Sequence, residues 1–158
     1  MKAENMKTLY LIGGPMGIGK TTVSRELLSM LPRCAFLDGD WCWSMQPFTV
    51  TDETKAMVLD NIVFCWVMHQ QKIVDDILSR LPLEGVKVVS VSLNASPEVL
   101  TERIRRDIAA GLRDESVISR ALSYLPLYEK VQSLKLDTST LSVAEIAEQI
   151  RIIGEMNS

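Results

Sequence analysis

The segment Gly14-Pro15-Met16-Gly17-Ile18-Gly19-Lys20-Thr21 constrains this chain more than any other. A short apolar run, TLYLIG at 8–13, precedes it and reads as a buried strand. KTTVSRELLSML at 20–31 follows and sets Val23, Leu27, Met30 and Leu31 on one helical face. A strand, a glycine-rich turn and a helix in that order, with the pattern G-x-x-x-x-G-K-[ST], describe a loop built to hold phosphates. Glycines let successive backbone N–H groups turn inward around an anion. The new helix adds the positive end of its dipole. Lys20 supplies a point charge for β- and γ-phosphates, Thr21 a hydroxyl for Mg²⁺, and Thr22 a reach to the α-phosphate. Gly14, Gly17, Ile18, Gly19, Lys20, Thr21 and Thr22 are therefore the candidate nucleotide contacts.

Beyond that loop, strand and helix patterns alternate. CAFLD at 34–38 is a second short apolar run, and TDETKAMVLDN at 51–61 reads as a helix with acids in its first turn. IVFCWVM at 62–68 is β-branched and aromatic, which predicts a third strand, although without a turn signal it can also continue the helix before it. QQKIVDDILSRL at 70–81 repeats apolar residues at helical spacing, and VKVVSVSL at 86–93 is the clearest strand. In SPEVLTERIRRDIAAG at 96–111, Ser96 is an N-cap, Pro97 takes the first helical position and Gly111 lies past the end. DESVISRALSYL at 114–125 is a further amphipathic helix, SLKLD at 133–137 a last strand, and Ser142 to Glu145 a capping box opening a final helix. This order predicts one α/β domain over 1–158: three layers, a five-stranded parallel sheet and helices on both faces.

In such a sheet, ligands lie beyond the carboxyl ends of the strands. Asp38 and Asp40 follow the second predicted strand and so open onto the crevice of the phosphate loop. Two apart in an extended stretch, both side chains point the same way. One carboxylate can hold Mg²⁺ and the other can accept the proton of an attacking hydroxyl. We assign Asp38 to the metal and Asp40 to the acceptor; spacing alone allows the reverse. Trp41 and Trp43 stand beside them as candidate walls of an acceptor pocket. His69, near the end of the third predicted strand, faces the same crevice.

Composition narrows the partners. Of 158 residues, 17 are Lys or Arg and 20 Asp or Glu, which counts against broad nucleic-acid binding through a basic surface. No apolar run approaches the length of a membrane helix, and the start carries no apolar signal core. Three cysteines without CxxC spacing and one histidine make a poor zinc set and read as reduced thiols of a cytoplasmic protein.

With these motifs in view, the chain resembles the small P-loop kinases: the nucleoside monophosphate, shikimate, gluconate and adenylylsulfate kinases. GGPMGIGKTT resembles their phosphate loop, and FLDGD their acceptor-site aspartates, the DGD form being most like gluconate and adenylylsulfate kinases. VVSVSLNASPEVLTERIRRD is similar to their fourth strand and arginine-bearing helix, and GLRDESVISRALSYLPLYEKV to their lid and the helix after it. LKLDTSTLSVAEIAEQI is similar to the last strand, adenine-side loop and final helix. In FLDGDWCW and FCWVMH the chain looks most like bacterial AAA-type nucleotide-kinase-like proteins. The resemblance implies that Arg103 or Arg106 flanks adenine, that Arg113 and Arg120 clamp the transferred phosphoryl, and that Thr138 and Ser139 contact the base edge through their backbone. It also implies a lid, here short, at about 111–120. The acid often found near the end of the third strand is missing, with His69 roughly in its place.

The combined expectation is an enzyme moving the γ-phosphoryl of ATP, with Mg²⁺, to a small hydroxylated or phosphorylated acceptor. Lys20, Asp40, Arg113 and Arg120 would be catalytic, and Thr21 and Asp38 would hold the metal. Departures on the acceptor side keep two alternatives open: an ATP-binding regulatory module, and a polynucleotide or tRNA kinase.

Overall fold

The computed structural model describes residues 7–31, 34–43, 51–52 and 67–156. β1 (Lys7–Gly13), β2 (Val86–Asn94) and β3 (Leu134–Asp137) form a parallel sheet in the order β1-β2-β3. The helices are α1 (Lys20–Met30), α2 (Gln71–Leu78), α3 (Pro97–Ala109), α4 (Ser116–Tyr128) and α5 (Val143–Glu155). A short 3-10 helix spans Gly39–Trp43.

Strand alternation sends successive side chains to two separate cores. Leu9 pairs with Val88, and both join Leu11, Val74, Ile77 and Tyr128 on one face. Tyr10 pairs with Val89 and Ile12 with Val91, and these meet α1, α3, α4 and α5 on the other. The period of two thus gives each face its own helical cover. α4 serves both: Val117 and Ala121 enter the larger core, while Tyr124 and Tyr128 enter the smaller.

The predicted caps are present. Ser96 Oγ accepts from the Val99 N–H, and Ser142 and Glu145 form the reciprocal capping box of α5. Such caps satisfy the first-turn N–H groups that a helix leaves unpaired.

The sheet departs from the expected five strands: among the described residues it has three. The predicted second strand, 34–38, is irregular apart from one bridge at Asp38. Cys34, Ala35 and Leu37 are exposed there, so no ladder buries that apolar run. At its end turn chemistry takes over, as the Trp41 N–H donates to the Asp38 carbonyl (3.1 Å) and the Asp40 N–H to Asp38 Oδ1 (3.1 Å). The predicted third strand and the helix before it lie largely outside the described residues; Val67 and Met68, at its end, are not strand. α4 runs three residues past the predicted Leu125, through Pro126 to Tyr128. The segment expected as a lid, about 111–120, overlaps α4, which begins at Ser116. Cys34 is an exposed free thiol, and among the described residues no helix is long and apolar enough to cross a membrane.

Candidate functional site

The carboxyl ends of all three strands meet at the phosphate loop. Gly13 ends β1, and Gly14 to Gly19 turn the chain into α1. Gly17 has φ +78°, and a Cβ there would stand 2.4 Å from Ile104 Cγ1 of α3. Only glycine fits both the backbone and the neighbour. Gly19 is the N-cap of α1 at φ 102°, with no side-chain cap, so the first amides of α1 receive no bond from it. Lys20 Nζ donates to the carbonyls of Gly14 (2.9 Å) and Pro15 (3.0 Å), lying back over its own loop.

Thr21 Oγ1 donates to Asp38 Oδ2 at 2.8 Å. Asp38 is buried (8% exposed), and its second oxygen accepts from the Asp40 N–H. Hydroxyl and carboxylate are the hard oxygen donors that Mg²⁺ prefers, and Mg²⁺ commonly takes only one or two protein ligands beside waters and phosphates. The pair fits that ion as a partner to a bound nucleotide. No group of three or more His, Cys, Asp or Glu side chains among the described residues forms a metal site by itself.

Asp40 lies in the first turn of the 3-10 helix rather than continuing a strand, so the two carboxylates differ in setting instead of lying side by side along an extended chain. Partial desolvation holds the Asp40 carboxyl above the usual aspartate range; Asp38 adds to the rise, and Lys20 and Arg113 oppose it. Asp40 thus shares one electrostatic neighbourhood with Asp38, Lys20 and Arg113. Arg113 itself pairs with Asp107 (2.8 Å). Arg120 lies exposed on α4, where its charge helps hold the Asp114 carboxyl low, after the hydrogen bonds from Ser116. The Arg120 carbonyl accepts from Ser123 Oγ (2.8 Å) within α4.

On the far side, Arg103 reaches the Ile18 carbonyl (3.3 Å), Thr138 Oγ1 (2.8 Å) and the Thr138 carbonyl (2.6 Å). Thr138 is fully buried, and both its N–H and hydroxyl donate to the Asn94 carbonyl at the end of β2 (2.8 and 2.9 Å). The Ser139 N–H donates to Asp137 Oδ1, and Ser139 Oγ accepts from the Ser96 N–H. The backbone donors expected to meet a base edge are therefore engaged within the protein. Arg106 pairs with Glu102 on the exposed face of α3. Arg103 is the arginine built into the site.

Three features were missed by sequence reasoning. His69 stacks on Tyr124 of α4, with ring centroids 4.3 Å apart and planes 7° from parallel. Tyr128, one turn on, packs against Gly13 at the end of β1. Asn94 joins the ends of β2 and β3 through Thr138. The stripe Arg120, Tyr124, Tyr128 at four-residue spacing was the available signal for the two tyrosines. Trp41 is exposed and meets Phe36 edge-on at 5.5 Å, while the Trp43 side chain and Thr22's expected phosphate contact lie beyond what the described contacts show.

Residues 11–117, from the middle of β1 to the start of α4, match the AAA domain family. The chain belongs to that family. Solved structures of small P-loop kinases share its fold. The tunicamycin resistance protein of Deinococcus radiodurans superposes with a TM-score of 0.70 at 21% identity, over 93% of this chain and 95% of its own. A gluconokinase from Sinorhizobium meliloti 1021 gives 0.66 at 19%, over 95% of each chain. A fungal RNA kinase gives 0.53 at 16%, over 93% of this chain and 83% of its own. At these identities the likeness is one of fold. No curated protein matches the chain. The AAA domain thus carries an α/β, P-loop kinase-like fold with a parallel sheet, and its family implies a nucleotide at the loop.

Proposed function

We propose that this AAA domain is an ATP-dependent phosphotransferase acting on a small hydroxylated or phosphorylated acceptor. The carrying observation is the bond from Thr21 Oγ1 to Asp38 Oδ2 with Asp40 two residues on, inside the field of Lys20 and Arg113. Bound Mg²⁺ would neutralise charge on the β- and γ-phosphates. Thr21 and Asp38 would hold it.

The chain's own residues supply the rest. Lys20 leaves the Gly14 and Pro15 carbonyls for the phosphate tail. Asp40, as carboxylate, accepts the proton of the acceptor hydroxyl. The acceptor oxygen bonds to the γ-phosphorus while the bond from that phosphorus to the β,γ-bridging oxygen breaks, leaving ADP. The raised proton affinity of Asp40 suits a base. Arg113 and Arg120, on the lid and the helix after it, would spread charge over the transferred oxygens. Arg103 fixes the loop against the segment after β3, on the adenine side.

The test is ADP release from Mg-ATP with a pooled small-metabolite extract. Acceptor-stimulated ADP is expected from the wild type and a loss of at least about 100-fold from Lys20→Ala. Tight ATP binding without any acceptor-stimulated ADP would sink the kinase reading and favour an ATP-responsive regulatory module.

A further inference from the structure

Tyr128 is fully buried, yet its hydroxyl has no hydrogen-bond partner among the described residues. A phenylalanine would fill the same space without stranding a polar atom, so the hydroxyl calls for an explanation. Its surroundings supply one. A Cβ on Gly13 would stand 3.5 Å from Met68 Cε and 3.6 Å from Tyr128 Cε1, so the two side chains together floor the last residue of β1. The next residue, Gly14, opens the phosphate loop. Burial pushes the phenol far above the usual tyrosine range, and the Gly14 backbone acts in the opposite direction, close enough to be felt but short of a regular hydrogen bond. Tyr128 also ends the helix that carries Arg120 and Tyr124, one turn from the His69 stack.

We propose that Tyr128 is a positioning residue that seats the phosphate loop on α4, making the loop's grip on nucleotide depend on that helix. This rests on the nucleotide-binding reading of the loop. Lys20 now donates to the Gly14 and Pro15 carbonyls. A triphosphate that draws Lys20 away removes both bonds from the first turn of the loop. The Tyr128 ring then holds Gly13 from below, and its hydroxyl closes on the Gly14 N–H. Because coupling between two sites is reciprocal, nucleotide in the loop steadies α4 and a steadied α4 favours nucleotide.

The experiment uses the full chain, with Mg-ATP titrated by calorimetry and backbone hydrogen exchange followed with and without it. Tyr128→Phe is expected to weaken Mg-ATP binding about three- to tenfold, the effect of losing one net hydrogen bond. Exchange protection that Mg-ATP confers on 124–130 in the wild type should shrink in the variant. Affinity for Mg-ATP unchanged in Tyr128→Phe, whatever the melting temperature of the unliganded variant, overturns the proposal. Should the variant not fold, the wild type decides: Mg-ATP binding without added protection at 124–130 overturns the coupling. A wild type that gives no heat with Mg-ATP fails at the earlier step, and the nucleotide reading falls together with its dependent.

Discussion

Asp38 and Asp40 show how two like residues, two positions apart, acquire different chemistry. Asp38 is buried and commits its oxygens to the Thr21 hydroxyl and the Asp40 N–H. Asp40 stays accessible, and desolvation together with Asp38 raises its proton affinity. A carboxyl whose folded-state pKa is raised holds its proton more tightly in the native state than in the unfolded chain. Its contribution to stability is therefore complete at low pH and is lost as pH rises through the raised value. Asp40→Asn should melt no lower than the wild type at neutral pH, with any gain vanishing below about pH 4, where both forms are uncharged. Its turnover should fall about 100-fold or more while the Mg-ATP dissociation constant stays within about threefold. Scanning calorimetry at several pH values and steady-state kinetics check both halves. At this scale the sequence made the acids visible through their spacing. It assigned Asp38 to the metal and Asp40 to the acceptor with the reverse left open, and it did not show their different settings, which follow from a turn that Asp38 itself stabilises.

Elements were most legible where a local rule fixes their ends. Ser142 and Glu145 announce the start of α5, and the reciprocal bonds are present. Ser142→Ala removes an N-cap acceptor and is expected to cost about 1 kcal/mol, lowering the melting temperature by about 2–4 °C. Thermal denaturation at fixed pH measures it, and an unchanged midpoint would deny the cap that role. Strands were harder. VKVVSVSL is long and its pairing with β1 extends over seven residues. CAFLD is as apolar, but its side chains are largely exposed and its end is captured by a turn. A short apolar run has no period that separates a paired strand from an approach to a site. α4 outran its predicted end at Leu125, since the helix takes in Pro126 and continues for two residues beyond it.

At the scale of the molecule, residues distant in sequence are tied across the ends of the strands. Arg103 of α3 joins Ile18 of the loop to Thr138 after β3, and Thr138 joins Asn94 at the end of β2. No spacing rule reaches across such separations, so the family resemblance offered Arg103 or Arg106 as a base-flanking side chain and neither as a brace. Arg103→Met keeps the stem and removes the fork, and it should weaken Mg-ATP binding about tenfold. Binding also feeds back on stability by mass action. Mg-ATP at about 100 times its dissociation constant adds about 2.7 kcal/mol. For a chain of this size that is a rise of about 5–10 °C in melting temperature. The rise should shrink in Arg103→Met at the same nucleotide concentration. An equal rise in both proteins would detach the brace from the site.

The resting posture of Lys20 sets a toll on small anions. Its ammonium is already satisfied by two carbonyls of the turn, at Gly14 and Pro15. Orthophosphate or a monophosphate ester brings one group to exchange for both. A polyphosphate reaches the ammonium and the α1 amides at once, and recovers more than it displaces. The loop is therefore expected to count phosphates before it reads anything else of the ligand, disfavouring short tails.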